Sequence, residues 1–305
     1  MARIAAAIAL VASIATARAQ PAPPASVTID KTTLLRDLEV LSADDMEGRK
    51  PGTAGHERAR AYIVRRFRAS GLKPAWDGSF EQRIGPGLAN IAGIVRGKRA
   101  RPAMAITAHY DHVGVTNGKV FNGANDNASG VAALFALASH FSGDAPQHTL
   151  VFVALDNEEA GGLGAQAFLD SPPVPRDSIA LDVNLDMLAR DVSRTLYAAG
   201  ASHYPVLKSY LERVASRAPV TLRLGHDGPG APLVEDWTRE SDHYAFHQRG
   251  IPFVYFGVED AAEHHKETDE FSSIMPEFYR GAVQTALDAI RELDAGLEQI
   301  QRQRR

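Results

Sequence analysis

Residues 109–130 read HYDHVGVTNGKVFNGANDNASG, and what this stretch joins decides the fold. An apolar run, 103–108, leads into His109, Asp111 and His112. A short excursion turns at Asn117-Gly118, a dipeptide suited to the positive φ of tight hairpins. The chain then returns to Asp126, flanked by Gly123, Asn125 and Asn127, and Ser129-Gly130 opens a strongly apolar helix. Imidazole and carboxylate thus stand at a strand end and again at a helix start. Zinc takes such ligands, and nucleophilic catalysis uses them too.

Outward from this stretch the same unit recurs. Residues 148–155 (HTLVFVAL) are β-rich and run into Asp156, Asn157, Glu158 and Glu159. Residues 178–185 (SIALDVNL) run into Asp186. Residues 251–258 (IPFVYFGV) run into Glu259 and Asp260, with His264 and His265 soon after. Further strand-like runs occupy 88–95 and 102–109. Helical spacing of apolar residues predicts helices from Asp30 through Leu41, from Thr53 to Gly71, over 128–141, 164–169, 204–215 and 243–249, and a long amphipathic one carrying Phe278 to Leu297. Near-continuous apolar strands alternating with helices predict a single-domain, doubly wound α/β fold: a mostly parallel mixed sheet flanked by helices. Ligands bind such sheets at the C-terminal strand ends. His109, Asp126, Glu158, Glu159, Asp186 and His265 are therefore expected in one crevice.

That constellation limits the chemistry. Carboxylates gathered in a crevice repel one another and take up protons unless cations neutralise them. Two divalent ions do so. Histidine and carboxylate without thiolate suits catalytic zinc, with cobalt or manganese conceivable. Two metals about 3.5 Å apart share a water and polarise a carbonyl. Glu158 and Glu159 are neighbours whose side chains point to opposite sides of an extended segment, so one binds metal while the other stays free as a base. His109 and Asp111 share a side, which lets the Asp111 carboxylate orient the His109 ring. A serine hydrolase is the rival, but the chain has no G-x-S-x-G elbow, and Ser129 reads as a helix cap. Taken singly, Asp186 is an ordinary strand-end acid, and His56, His140, His148, His203 and His226 are ordinary loop or helix histidines.

Composition sets the setting. The chain has 305 residues, no cysteine and a net charge of −4. Arg3, an apolar run over 4–14 and the Ala17-Arg18-Ala19 site make residues 1–19 an expected signal peptide, followed by a flexible leader (20–30), the main domain (31–300) and a polar tail (301–305). Export to the periplasm or the medium is the expectation. Disulfides and thiolate ligands are excluded. Nothing suggests nucleic acid: Arg58, Arg60, Arg65, Arg66 and Arg68 form the solvated face of a helix. No further apolar stretch is long enough for stable membrane insertion.

The blocks HYDH, GANDNASG, NEEAGGLGA, NLDM, SDHYAF-HQRGIPFVYF and HHKETDE, in this order, resemble those of the secreted di-zinc aminopeptidases, peptidase family M28. EGRKPGTAG and SGL-KP resemble the N-terminal part of bacterial members. The resemblance covers residues 34–293 and leaves 80–101 too short for a protease-associated domain insert. It implies peptide substrates with a free N-terminus and two zinc ions. Asp126 would bridge the ions, Glu159 and His265 would complete one site, and His109 and Asp186 the other. Glu158 would be the general base, Asp111 the orienter of His109, and Ser241-Asp242 a supporting segment. Relatives usually carry Tyr before the last ligand His, where this chain has His264; the spacing to Thr268-Asp269 favours His265 as the ligand. Gly162 and Ala165 replace a common Leu and Ser, with only packing expected to change. A carboxypeptidase, a glutaminyl-cyclase-like acyl transferase or a non-catalytic zinc-dependent binding protein are the alternatives on this scaffold.

Overall fold

The computed structural model describes residues 29–228, 235–260 and 262–304. The expected signal peptide, and the leader up to residue 28, lie outside them. The strands are β1 (Lys73–Pro74), β2 (Glu81–Gly85), β3 (Leu88–Val95), β4 (Arg99–His109), β5 (Gly114–Thr116), β6 (Lys119–Phe121), β7 (His148–Leu155), β8 (Ile179–Leu185), β9 (Thr195–Ala199), β10 (Thr221–Leu224) and β11 (Phe253–Gly257). The helices are α1 (Lys31–Leu41), α2 (Ala54–Ala69), α3 (Ser129–Gly143), α4 (Leu163–Asp170), α5 (Lys208–Ala215), α6 (His243–Gln248), α7 (Pro276–Ala295) and α8 (Leu297–Arg302).

Nine strands form one mixed sheet in the order β1-β3-β7-β4-β8-β11-β9-β10, with β2 also on β3. β7, β4, β8 and β11 run parallel, while β3 is antiparallel to β7 and β9 to β11. The parallel strands are buried on both faces, which is why they read as unbroken apolar runs. The larger core packs α1, α2, α3, α5 and α7 on one face; α4 and α6 cover the other with Phe168, Leu169, Ala245 and Phe246. Ala165 is buried in this second layer.

The order of the central strands positions the site. β4 lies between β7 and β8, so the connection out of β4 goes to one side and the connection out of β7 crosses to the other. This is a topological switch point, where a crevice opens beyond the carboxyl ends of the strands.

Local signals explain the helix starts. Asp30 accepts from the Thr32 amide at 3.0 Å, and Thr53 Oγ1 from the His56 amide at 3.2 Å, each capping its helix. Asn117 (φ 52°) and Gly118 (φ 76°) both sit in the left-handed region, closing β5 onto β6.

Ser129 is not the cap expected from the sequence. The backbone is already turning at 124–128, so Ser129 lies inside the first helical turn. Its hydroxyl donates to the Asn125 carbonyl at 2.7 Å and accepts from the Leu188 amide at 2.9 Å. It staples the Asp126 segment to the segment after Asp186.

Candidate metal centre

His109 closes β4, Glu158 and Glu159 follow β7, Asp186 follows β8, and His265 lies beyond β11. Asp126 comes from the turn ahead of α3. Left-handed backbone at Asn157, Met187 and His265 (φ 64°, 57° and 55°) directs the chain at three of these points. Such conformations are costly for non-glycine residues and cluster where function requires them.

Two groups of donors result. His109, Asp126 and Asp186 form one, and His112, Asp126, Glu159 and His265 the other, with the donor atoms of each group within 4.8 Å of one another. In the first, His109 Nε2 lies 3.3 Å from both Asp186 Oδ1 and Asp126 Oδ1. In the second, Glu159 Oε2 is 2.9 Å from His265 Nε2, and Asp126 Oδ2 is 3.2 Å from the same nitrogen. Asp126 thus turns one oxygen to each group. His264 Nε2 stands further off, 3.5 Å from Asp126 Oδ2, with its ring against that of His265 at 3.9 Å.

His112, not among the expected ligands, places Nδ1 2.8 Å from Glu159 Oε1 and leaves its buried Nε2 without a partner. The HYDH spacing, which puts a second imidazole three residues after His109, is the signal that pointed to it.

Asp111 differs from expectation. Its main-chain carbonyl, not its carboxylate, is the nearer acceptor for His109 Nδ1, at 3.2 Å against 3.8 Å. The carboxylate instead accepts from the amides of Glu158 (3.0 Å) and Glu159 (3.3 Å). It fastens the turn that splays the two glutamates apart. Asp269 does the same for the turn ahead of α3, accepting from the amides of Asn125 at 2.9 Å and Asp126 at 3.0 Å.

Arg49 was not legible from sequence. It is 1% exposed and donates to the main-chain carbonyls of Leu41, Tyr110, Asn122, Gly123 and Asp126. Burial pulls its guanidinium down to about 10, with Asp126 and Asp269 acting in the opposite sense. Its place in a Gly/Pro loop gave no periodic signal.

The electrostatics show what the cluster lacks. Burial, then the charges of Asp242, Asp186 and Glu159, push the Glu158 carboxyl up to about 9, against the opposing pull of His109. Burial works against Glu159 too, but hydrogen bonds from His112 and His265 carry it down to about 2. Hydrogen bonds to Asp126 and Glu159 lift His265 to about 10. His109 is also raised well above its ordinary value: burial opposes this, but Asp186 and Asp126 outweigh it. Within the two donor groups, among the described residues, protonated imidazoles are therefore the source of positive charge beside these carboxylates. Asp126 Oδ2, buried, forms no well-aligned hydrogen bond. A nitrogen and oxygen donor set with an orphaned carboxylate oxygen at its centre fits divalent cations.

The two groups line a cavity of about 1010 Å³ whose wall includes Glu158, Met187, His226, Trp237, Arg239, Tyr255 and Val258. Its lining also includes the exposed Glu235, Asp236, Glu240 and Glu259, and Asp260, whose side chain is buried in an ion pair with Arg190. His226 and Trp237 stack with ring centroids 3.6 Å apart. Of residues 222–237, His226, Glu235, Asp236 and Trp237 line the cavity, whereas none of 190–204 does among the described residues. Trp76 is remote from the cavity and packs with the second core layer.

The pattern that defines Peptidase family M28 matches residues 90–290. The chain belongs to peptidase family M28. The family is one of metallopeptidases. Among curated relatives, a vacuolar membrane protease of Candida glabrata is 32% identical over 127 residues, 42% of this chain and 12% of the relative. The chain therefore spans only a small part of that relative. Among solved structures, a leucine aminopeptidase precursor from Bacteroides thetaiotaomicron superposes with a TM-score of 0.70 at 21% identity, covering 88% of this chain and 98% of that one. A Zn-dependent exopeptidase from Parabacteroides distasonis gives 0.66 at 19% identity, covering 88% and 99%. These likenesses establish the mixed α/β fold, and among the described residues no protease-associated insert interrupts it.

Proposed function

We propose that this M28 member is an exported aminopeptidase that holds two zinc ions and removes N-terminal residues from peptides. The observation that carries the reading is Asp126, one carboxylate facing both donor groups, with Glu158 at the cavity wall and in neither group. His109 and Asp186 would hold one ion, Glu159 and His265 the other, and Asp126 both. Bound there, the ions would supply Lewis-acid polarisation of the scissile carbonyl and a water of lowered pKa. Glu158 takes the proton from the attacking water and delivers it to the leaving amine. Asp111 keeps Glu158 aimed at the cavity through its amide, and Arg49 and Asp269 hold the Asp126 turn.

The cavity lining favours the amino end of a peptide. The carboxylates of Glu235, Asp236, Glu240 and Glu259 and the guanidinium of Arg239 line the cavity, while Asp260 is neutralised by Arg190. Such a field attracts a free α-ammonium and repels a C-terminal carboxylate. The export reading rests on the N-terminal pattern of residues 1–19.

The test is a panel of aminoacyl-nitroanilides with free and N-acetylated amines, assayed with and without chelator, alongside metal counting. The expected result is two zinc ions per chain and chelator-sensitive release from free-amine substrates only. Cleavage of N-acetylated peptides from the carboxyl end, or cyclisation of N-terminal glutamine without hydrolysis, would replace the reading with its neighbours on this scaffold. Zinc binding with no turnover would leave a binding protein. Retention of residues 1–19 in the protein recovered from the native host's envelope would sink the export reading.

A further inference from the structure

Tyr255 is a buried phenol that the mechanism above does not use. It sits on β11, is 6% exposed and lines the cavity that holds both donor groups. Among the described residues nothing accepts a hydrogen bond from its hydroxyl.

Strand register shows where that hydroxyl lies. Tyr255 pairs with Asn184 on β8, and Phe256 with Leu185. The Asp186 amide donates to the Phe256 carbonyl at 3.0 Å, so the ladder continues to the first donor group. With side chains alternating along a strand, Tyr255 and Gly257 share a face with Asn184 and Asp186. The Tyr255 ring leans along its strand over Gly257. A Cβ added at Gly257 would lie 2.6 Å from the ring edge and 2.8 Å from the hydroxyl oxygen. The bare glycine is the slot that lets the ring point toward the carboxyl end of β11. Trp237 at 5.7 Å and His243 at 4.6 Å brace the ring.

We propose that the Tyr255 hydroxyl is the oxyanion donor of this peptidase, hydrogen-bonding the carbonyl oxygen as it gains negative charge, with Gly257 as its positioning residue. The inference rests on the proposed hydrolysis at this site. As the water oxygen bonds to the carbonyl carbon, the C=O π pair moves onto oxygen, and Tyr255 donates to that oxygen without giving up its proton. Glu158 carries the water's proton to the nitrogen as the C–N bond breaks, and the C=O bond re-forms. Burial, and then the nearby Asp186, Asp126 and Glu158, hold the phenol well above its ordinary value, so it stays a donor through the working range. His264, 3.5 Å from Asp126 Oδ2 and half exposed, occupies the position where relatives carry a Tyr, and Tyr255 supplies a phenol from β11, the strand that precedes it.

The test uses the zinc-loaded wild type, Tyr255→Phe, Gly257→Ala and the double variant. Three quantities are read: metal content, kcat and KM on an aminoacyl-nitroanilide, and the Kd of two probes. One probe is a dipeptide phosphinate, tetrahedral and anionic at the reacting centre; the other is a free amino acid, which has neither feature. In Tyr255→Phe, kcat is expected to fall about 10²–10³-fold. Phosphinate affinity should fall in parallel, with KM, amino-acid affinity and zinc content unchanged. Gly257→Ala should reproduce the loss, and the double variant should be no worse than either, the non-additivity expected of residues acting as a unit. If Tyr255→Phe weakens both probes equally, or neither, while the wild type is active, the Tyr255 role is overturned and the peptidase reading stands. If zinc-loaded wild type neither hydrolyses the substrate nor binds the phosphinate, the peptidase reading fails and takes the Tyr255 role with it.

Discussion

Arg49 lies directly behind Asp126: its Nη2 is 3.3 Å from the Asp126 carbonyl and 2.9 Å from that of Gly123, while the carboxylate of Asp126 faces the two donor groups. The shared carboxylate is therefore held from the main-chain side by a charge that never enters the cavity. Lysine has one nitrogen to offer where the guanidinium reaches five carbonyls in different directions. Arg49→Lys should destabilise the fold by about 3 kcal/mol or more, since several buried carbonyls lose their donors. Urea unfolding of the metal-free protein measures this directly. Zinc competition on the folded fraction should also show weaker binding. Unchanged stability with unchanged zinc affinity would mean that the Asp126 turn supports itself.

Glu158 and Asp126 should separate cleanly in their variants. Glu158→Gln keeps the shape but removes the base, so kcat should fall at least about 10²-fold with zinc content unchanged. Asp126→Asn weakens both donor groups at once, so both ions should be lost together on dialysis. Metal analysis beside single-turnover kinetics distinguishes the two. Retention of one ion in Asp126→Asn would assign the carboxylate to one group alone.

His112 holds Glu159 from the side opposite His265. Removing that partner in His112→Ala should loosen Glu159 and weaken zinc at the second group by about 10–100-fold, leaving the first group intact. Stepwise zinc titration of the variant reads the two sites apart. Equal weakening at both sites would show that His112 acts on Asp126 rather than on Glu159.

Burial pushes the His243 imidazole down to about 3, against the bond it makes to the Trp237 carbonyl at 2.9 Å. In the unfolded chain a histidine titrates near 6.5. Its contribution to stability is therefore complete above pH 6.5 and is lost as pH falls toward 3, because the unfolded chain then binds a proton that the folded one refuses. The slope reaches about 1.4 kcal/mol per pH unit. Replacing it in His243→Gln should remove that slope, so the stability gap between wild type and variant should narrow from pH 6.5 to 4. Parallel stability curves for the two proteins would refute the neutral-imidazole assignment.

The parts of this molecule that repeat a period were legible. β3 and β7 run over the residues that apolar spacing predicts, and β4, β8 and β11 differ only at their ends. A buried parallel strand announces itself as a continuous apolar run, and its C-terminal acid or histidine follows at once. The short strands at and next to the sheet edges were not legible: β9 and β10 are 5 and 4 residues long, and β1 has only two. Their pairing depends on neighbours rather than on their own pattern. The same holds at the site. Residue types placed His109, Asp126, Glu159, Asp186 and His265 near one edge. They did not show that Asp111 would spend its carboxylate on the amides of Glu158 and Glu159, nor that Ser129 would bridge to Leu188. Those choices depend on which backbone groups tertiary folding leaves without a partner.

The crossing of β7 and β8 on either side of β4 has a further consequence for how the centre comes into being. His109 and Asp186 stand 77 positions apart, and Asp269 reaches back 144 positions to Asn125. No peptide shorter than the span from 109 to 186 carries a complete donor group. A growing chain, or a clipped fragment lacking one of the three central strands, has no means of gathering the ligands. Metal occupancy is thus a tally of finished molecules, reporting a completed sheet at its centre.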